Sequence, residues 1–545
     1  MSTKLKILYV VAAVLLTAAV VTLVVTVNVT GKNKADDGTK VASVKEDNKD
    51  GKKDKDKDTD KDSKDSLSGG EDNTKDNPDG NADGNPDELS GRDGVDDESL
   101  KPGTTVVVTP GEMNYNPGEL PNVPGGKMSS AAALPVPEPT TDDWLFVEGN
   151  QIVDSTGKKV WLTGVNWFGY NTGTNIFDGL WNADLNASVQ GIANHGFNLI
   201  RVPISAELIL NWKNGTYPQA NFNQATNSYL VGMNSLEIFD YVVGQCRANG
   251  LKIMIDIHSA ETDASGHNIN LWTTGKISTE QYQEALVWMA ERYKDDDTII
   301  AYDLKNEPHG KPYEGSAAAI WNNSTNANNW KYVAETTALL VLEKNPNVLI
   351  MVEGTEIYPK DISSNGDFHS ANDDDYYFNW WGGNLRGVAD YPINLGKYQN
   401  KLVYSPHDYG PTVYEQPWFK SSYDYDSLMR DCWHDNWFYI FETGTAPLLI
   451  GEWGGYMREP NLTWMTHMRT LIGNYHLNHT FWCFNANSGD TGGLVLDDFM
   501  TWDDEKYKFV EEVLWRDEGM FVGLDHVIPL GTAGYGKTLT EAKGI

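Results

Sequence analysis

The sequence predicts a (β/α)8 TIM barrel, on three observations. Short apolar runs recur at about 160–168, 198–204, 251–258, 299–306, 348–353, 402–409, 447–452 and 480–485. Longer stretches of helical periodicity, as at about 235–248, 279–293, 330–343 and 462–473, separate most of them, and strands alternating with helices in this way build parallel sheets. Residues able to do chemistry end nearly every run, as in a barrel whose working face lies at the C-terminal ends of its strands. A doubly wound sheet is the alternative, but it gathers function into one crevice. Between the fifth and sixth runs, 379–400 carries little helical pattern.

Two runs deliver carboxylates. Ile299-Ile300-Ala301-Tyr302-Asp303-Leu304-Lys305-Asn306-Glu307-Pro308 ends in Asn-Glu-Pro, and Pro447-Leu448-Leu449-Ile450-Gly451-Glu452-Trp453 ends in Gly-Glu-Trp. A parallel barrel brings Glu307 and Glu452 to one mouth. One carboxylic acid and one carboxylate are what hydrolysis of a glycosidic bond requires. Arg201 in the second run, His258 closing the third, His407 and Tyr409 in the sixth and Trp482 in the eighth add polar and aromatic support. His407 and Tyr409 stand two residues apart, so both face one side of an extended chain. Asp303 and Lys305 alternate inward with Glu307 and are expected to pair beneath the site.

Composition narrows the partners. The net charge of -34 and the pI near 4.6 come without a basic stripe, which argues against nucleic acid. The 19 tryptophans and 26 tyrosines suit a protein that stacks aromatic faces on sugar rings, although core packing uses the same residues. Cys246, Cys432 and Cys483 allow one disulfide and fit no zinc spacing. No metal or cofactor is expected, and a monomer is.

The first 140 residues have a different character. Residues 7–29 form an apolar run preceded by Lys4 and Lys6, long enough to cross a bilayer as a helix. An uncleaved transmembrane anchor is favoured over a removed secretory signal, and either exports the rest of the chain. The charge-alternating tract beyond it, as in Lys52-Lys53-Asp54-Lys55-Asp56, lacks the apolar surface to fold. With Pro- and Gly-rich sequence it makes a tether with too few aromatics for a separate carbohydrate-binding module. The expected organisation is anchor at 1–30, disordered linker at 31–140, barrel at 141–515 and an extension of unassigned role at 516–545. That extension contains Gly531-Thr532-Ala533-Gly534-Tyr535-Gly536-Lys537-Thr538, a letter-perfect phosphate-loop pattern without the helix it must open. Asp79-Gly80-Asn81-Ala82-Asp83-Gly84 starts like a calcium loop, but the twelfth position is Ser90 rather than Glu.

From about residue 142 to 505 the chain resembles glycoside hydrolase family five, the cellulase family of clan A. Gly164-Val165-Asn166-Trp167-Phe168-Gly169, Trp380-Trp381-Gly382-Gly383-Asn384-Leu385 and Ser488-Gly489-Asp490-Thr491-Gly492-Gly493 resemble its bacterial endoglucanases. The resemblance implies Glu307 as acid/base and Glu452 as nucleophile. It implies Asn306 at the sugar 2-hydroxyl, His407 beside the acid/base and Tyr409 beside the nucleophile. Arg201 would hold the nucleophile ionised, His258 would contact the sugar, and Trp482 would be the stacking floor. Trp167 and Trp381 are expected to stack sugars along the cleft, with Tyr414 and Trp418 on the leaving-group side.

The implied activity is a retaining endo-β-1,4-glucanase acting on a β-glucan polysaccharide. Mannanase, xyloglucanase and mixed-linkage glucanase are the alternatives within the family, and a non-catalytic polysaccharide-binding surface protein is the alternative outside it. The chemistry leads one to expect a raised Glu307 carboxyl and an ionised Glu452.

Overall fold

The computed structural model describes residues 112–545, apart from Pro117 and 364–367. The expected anchor at 1–30 and the charged tract up to residue 111 lie outside the described residues. No helix among the described residues is long and apolar enough to cross a membrane.

Eight parallel strands make one sheet: β1 (Thr163–Asn166), β2 (Leu199–Ser205), β3 (Lys252–Ser259), β4 (Ile299–Asp303), β5 (Leu349–Val352), β6 (Leu402–Tyr404), β7 (Leu449–Trp453) and β8 (Asn478–Phe481). Neighbours run 6-5-4-3-2-1-8-7, so only β6 and β7 remain to be joined. There the ladder thins to the parallel bridges Tyr404–Leu448 and His407–Glu452. All eight expected runs contain a barrel strand.

The strands are buried on both faces, because their outer side packs on helices and their inner side fills the barrel. In β2, Leu199, Ile200, Val202 and Ile204 are fully buried, and so is Arg201. Helices α1 (Leu185–Asn194), α3 (Ser235–Ala248), α4 (Thr279–Arg292), α5 (Trp330–Lys344), α6 (Asn461–Tyr475) and α7 (Asp504–Glu511) flank the sheet, with a short α2 (Ala206–Lys213) directly after β2. Local sequence starts them cleanly. Asn234 with Glu237 and Ser278 with Gln281 form reciprocal capping boxes at α3 and α4, each satisfying amides that a helix start leaves unpaired. The β5–β6 connection opens with an antiparallel strand pair, Ile357–Pro359 with Tyr376–Phe378, and beyond residue 379 only short 3-10 turns occur, at Arg386–Val388 and Gly396–Lys401, as the weak pattern there implied.

The barrel closes below with the C-terminal extension. Arg516–Asp517, Met520–Val522 and Gly536–Lys537 form a small sheet. It sits at the N-terminal ends of the strands: the Trp515 amide donates to Thr163 Oγ1, and Asn198 Nδ2 donates to the Val522 carbonyl. Lys252 Nζ, at the start of β3, reaches Asp143 (2.6 Å), Asp297 (3.2 Å) and Asp525 (3.4 Å). The phosphate-loop pattern is occupied by the protein itself. The amides of Thr532 and Ala533 donate to Asn194 Oδ1, and Lys537 pairs with Asp517.

The described part of the expected linker also holds to the barrel. The Met128 amide donates to the Met500 carbonyl, that of Leu134 to Gln245, and Thr140 Oγ1 to Asp297. An extended, Pro-rich segment has no regular hydrogen-bond pattern to announce it, yet its amides find partners on a neighbouring surface.

Candidate active site

At the C-terminal mouth Arg201 organises the floor. Its Nη1 donates to Glu452 Oε1 (2.8 Å) and Asn166 Oδ1 (3.0 Å), and its Nε to Asp303 Oδ2 (2.9 Å). Its Nη2 donates to Asn306 Oδ1 (3.1 Å) and Glu353 Oε1 (3.3 Å), with Asp256 Oδ1 at 3.2 Å. A planar guanidinium is the one side chain that serves so many acceptors from a fixed fork. Burial opposes its charge, but Asp256, Asp303, Glu452 and Glu353 hold it far above any working pH. Asp303 thus pairs with Arg201 and not with Lys305, whose ammonium turns to the Asn306 carbonyl. Alternation along the strand identified both as inward, but only the neighbouring strand decides which charge each one meets.

Glu307 and Glu452 converge across the β4 and β7 ends. One carboxylate oxygen from each and one His407 ring nitrogen all lie within 4.8 Å of one another. His407 Nδ1 is 3.0 Å from Glu307 Oε1 and 3.7 Å from Glu452 Oε2. The Tyr409 hydroxyl donates to Glu452 Oε2 at 2.6 Å. Gly451 makes room for this: a Cβ there would lie 2.7 Å from His407 Nε2. Glu307 has a left-handed backbone (φ 52°), a conformation disfavoured for a side chain with a Cβ and typical of functional positions.

Glu353, at the end of the fifth run, is the site residue that sequence reasoning passed over. It is fully buried. Its Oε2 accepts the Glu307 amide at 2.7 Å, and its Oε1 stands 3.2 Å from His407 Nε2. The available signal was its place at a strand end beside those of Glu307 and Glu452. Gly382 is matched to it, because a Cβ there would lie 2.2 Å from Glu353 Oε2.

The charge balance differs from the expectation. Burial opposes protonation of His407, but Glu353, Glu452 and Glu307 outweigh it and push the ring well above the ordinary histidine range. Burial pushes Glu307 up, yet the His407 hydrogen bond and charge prevail and hold its carboxyl down to about 2. For Glu452 burial prevails over His407 and Arg201, and the carboxyl is raised. Burial also lifts Glu353 to about 8 against the pull of His407. The expectation of a raised Glu307 weighed burial and a neighbouring anion but omitted a charged imidazole between the two carboxylates.

The aromatic residues divide. Trp482 is half-buried, with Phe168 (5.5 Å, 12°) and His258 (5.6 Å, 5°) nearly parallel to it. His258 Nδ1 donates to Asp256 at 2.7 Å, and burial holds its ring well below the ordinary range, so it is neutral. Trp381 is half-buried and stacks on His309. Tyr414 is exposed and Trp418 half-buried in the loop after β6. Trp167 is not a platform. It is 1% exposed, stacks on Phe177 at 4.0 Å and donates its Nε1 to the Asp178 carbonyl. Position beside a strand end does not separate a cleft wall from the layer behind it.

Among the described residues three groups have metal-like donor sets: Asp303–Glu353–His407, Glu307–His407–Glu452 and Asp142–Asp143–Asp297. Each already faces a protein cation, Arg201 in the first two and Lys252 in the third. The cysteines are free and buried, at separate places in the fold.

Comparison with known proteins agrees with this geometry. Residues 153–488 match the model of the family described as cellulase (glycosyl hydrolase family 5). Endoglucanase G of Acetivibrio thermocellus is 47% identical over 443 residues, covering 75% of this chain and 78% of that protein. Endoglucanase B of the same organism is 48% identical over 448 residues, covering 76% and 79%. Among solved structures, the cellotetraose complex of an endocellulase from Pyrococcus horikoshii superposes with a TM-score of 0.60 at 32% identity, covering 69% of this chain and all of that one. A parallel barrel with two carboxylates meeting at its mouth, and this extent of shared sequence, establish that the chain belongs to the glycosyl hydrolase family 5 cellulases.

Proposed function

We infer that the protein is a retaining endo-β-1,4-glucanase that hydrolyses cellulose or a related β-glucan. The observation that carries the retaining mechanism is the approach of Glu307 and Glu452 to within 4.8 Å, and the endoglucanase relatives support the substrate. Retaining glycosidases hold their carboxyl groups about 5–5.5 Å apart, whereas inverting ones leave about 6.5–9.5 Å for a water.

Glu452 attacks the anomeric carbon. Arg201 and Tyr409 hold its two oxygens and favour the ionised form. Glu307 protonates the leaving oxygen. His407, held in its charged form by the surrounding carboxylates, is the proton store, with Nδ1 3.0 Å from Glu307 Oε1. A glycan filling the cleft excludes water from Glu307 and so disfavours its charge. The proton then passes from His407 to Glu307 and on to the departing oxygen. The glycosyl ester on Glu452 removes that negative charge, and Glu307 takes a proton from the water that releases the sugar.

Trp482, flanked by Phe168 and His258, is the floor for the sugar attacked. Asn306 has its Oδ1 engaged by Arg201, which leaves its amide nitrogen as donor to the 2-hydroxyl. Trp381 belongs to the leaving-group side, because the next residue, Gly382, abuts the Glu307 backbone. The apolar run 7–29 supports an anchor that holds the exported enzyme at the outer membrane surface, and cell fractionation with and without those residues tests it.

A panel of carboxymethyl cellulose, galactomannan, xyloglucan and mixed-linkage glucan, assayed with the wild type, Glu307→Gln and Glu452→Ala, tests the activity. Hydrolysis of cellulose substrates by the wild type, lost in both variants with binding retained, is expected. Preferential release from galactomannan overturns the specificity, and full activity of Glu452→Ala overturns the mechanism.

A further inference from the structure

His309 lies two residues beyond Glu307 at the end of the catalytic run, yet at 3% exposure it offers no surface to a sugar. Its ring lies flat against Trp381, with centroids 3.7 Å apart and planes 6° from parallel. Its Nδ1 lies 2.6 Å from the Glu307 carbonyl oxygen, and because a carbonyl only accepts, Nδ1 carries the hydrogen. Its main chain is fixed on both sides: its amide donates to the Asn270 carbonyl, and its own carbonyl accepts from Ala319. Burial holds the ring down to about 4, so the stack is between neutral rings throughout the neutral range.

We propose that His309 is a positioning residue: its ring backs Trp381 as the platform for the leaving-group sugar and ties that platform to the main chain of Glu307. The tie matters because proton transfer demands that the leaving oxygen sit within hydrogen-bond reach of the acid. A sugar stacked on Trp381 is then registered to Glu307 by a ring contact and one hydrogen bond. An indole without backing would trade this register for side-chain freedom, and misplacement of about 1 Å costs on the order of a hundredfold in rate.

The inference rests on the glucanase reading, and the experiment separates the two. Cellopentaose places sugars on both sides of the cut, whereas 2,4-dinitrophenyl β-cellobioside has a leaving group that needs neither platform nor acid. Failure of the wild type to cleave cellopentaose is a failure of the glucanase reading alone. With an active wild type, His309→Ala is expected to lower kcat/KM on cellopentaose by about tenfold or more, through kcat as well as KM, and to shift the bond cut, while the aryl glycoside changes by less than about twofold. His309→Phe keeps a ring against Trp381 but cannot donate to the Glu307 carbonyl, so it is expected to restore KM and to leave kcat on cellopentaose lowered. In a Trp381→Ala background, His309→Ala is expected to add nothing, since both remove one platform. Equal losses on the two substrates, or full additivity with Trp381→Ala, overturn the proposal. If the alanine variant does not fold, the phenylalanine variant decides: a near-wild-type KM with a lowered kcat on cellopentaose supports the proposal, and a KM raised by about tenfold or an unchanged kcat overturns it.

Discussion

The main-chain amide of Glu307 donates to Oε2 of Glu353 at 2.7 Å, so one carboxyl group holds Glu307 in its left-handed backbone. Removing it leaves the buried Glu307 amide without its acceptor, while Arg201 Nη2 keeps Asn306 and Asp256. Glu353→Ala is expected to lose about 1–3 kcal/mol of stability, the usual cost of leaving a buried donor unsatisfied, and most of its activity. Denaturant unfolding with parallel kinetics measures both. Unchanged stability would mean that Glu353 does not support Glu307.

Glu353 also has a pH signature. Burial lifts its carboxyl to about 8, against about 4.3 in an unfolded chain. The folded state therefore binds the extra proton between those values. Its contribution is fully present below about 4.3 and is lost as pH rises through about 8. The wild-type advantage over Glu353→Gln, which cannot titrate, is expected to shrink with rising pH, by at most about 1.4 kcal/mol per unit. Unfolding of both proteins at intervals from pH 5 to pH 8.5 measures the difference, and an advantage that grows with pH would contradict the assignment.

Arg201 binds Glu452 through one nitrogen while serving Asp303, Asn306 and Glu353 through the others. Lysine keeps the charge and loses the fork. Arg201→Lys is expected to lower kcat by about a hundredfold or more, comparable with removal of a preorganised donor at a reacting charge. A kcat within twofold of wild type on cellopentaose would show that charge alone suffices.

Trp167 and Trp482 separate core from cleft. Trp167→Ala is expected to cost about 3–5 kcal/mol in stability, as for other large core truncations, while Trp482→Ala unfolds near the wild-type midpoint. Trp482→Ala is expected to lose about tenfold in kcat/KM, because an aromatic stack is worth about 0.5–1.5 kcal/mol. Exchange of the two phenotypes would contradict the placement of Trp167 behind the wall.

The barrel and its two carboxylates were legible because strand burial and strand-end position are written locally. Each of the eight runs contains a strand, and Glu307 and Glu452 meet as their positions implied. What escaped depends on contacts between distant segments. Glu353 looked like one more polar strand end, and its meaning lies in the Glu307 amide, 46 residues back along the chain. The low Glu307 carboxyl comes from His407, 100 residues away. The extension after residue 515 carries no strong periodicity of its own. Its structure is set by the barrel base, through Thr163, Asn198 and Lys252.

The most direct test is proton NMR of the first product released from cellopentaose, recorded before mutarotation. Attack by Glu452, then by water from the same face, predicts that the β-anomer of the new reducing end appears first, with the α-anomer growing in later. An α-anomer formed first would mean single displacement by water, and Glu452 could not then be the nucleophile.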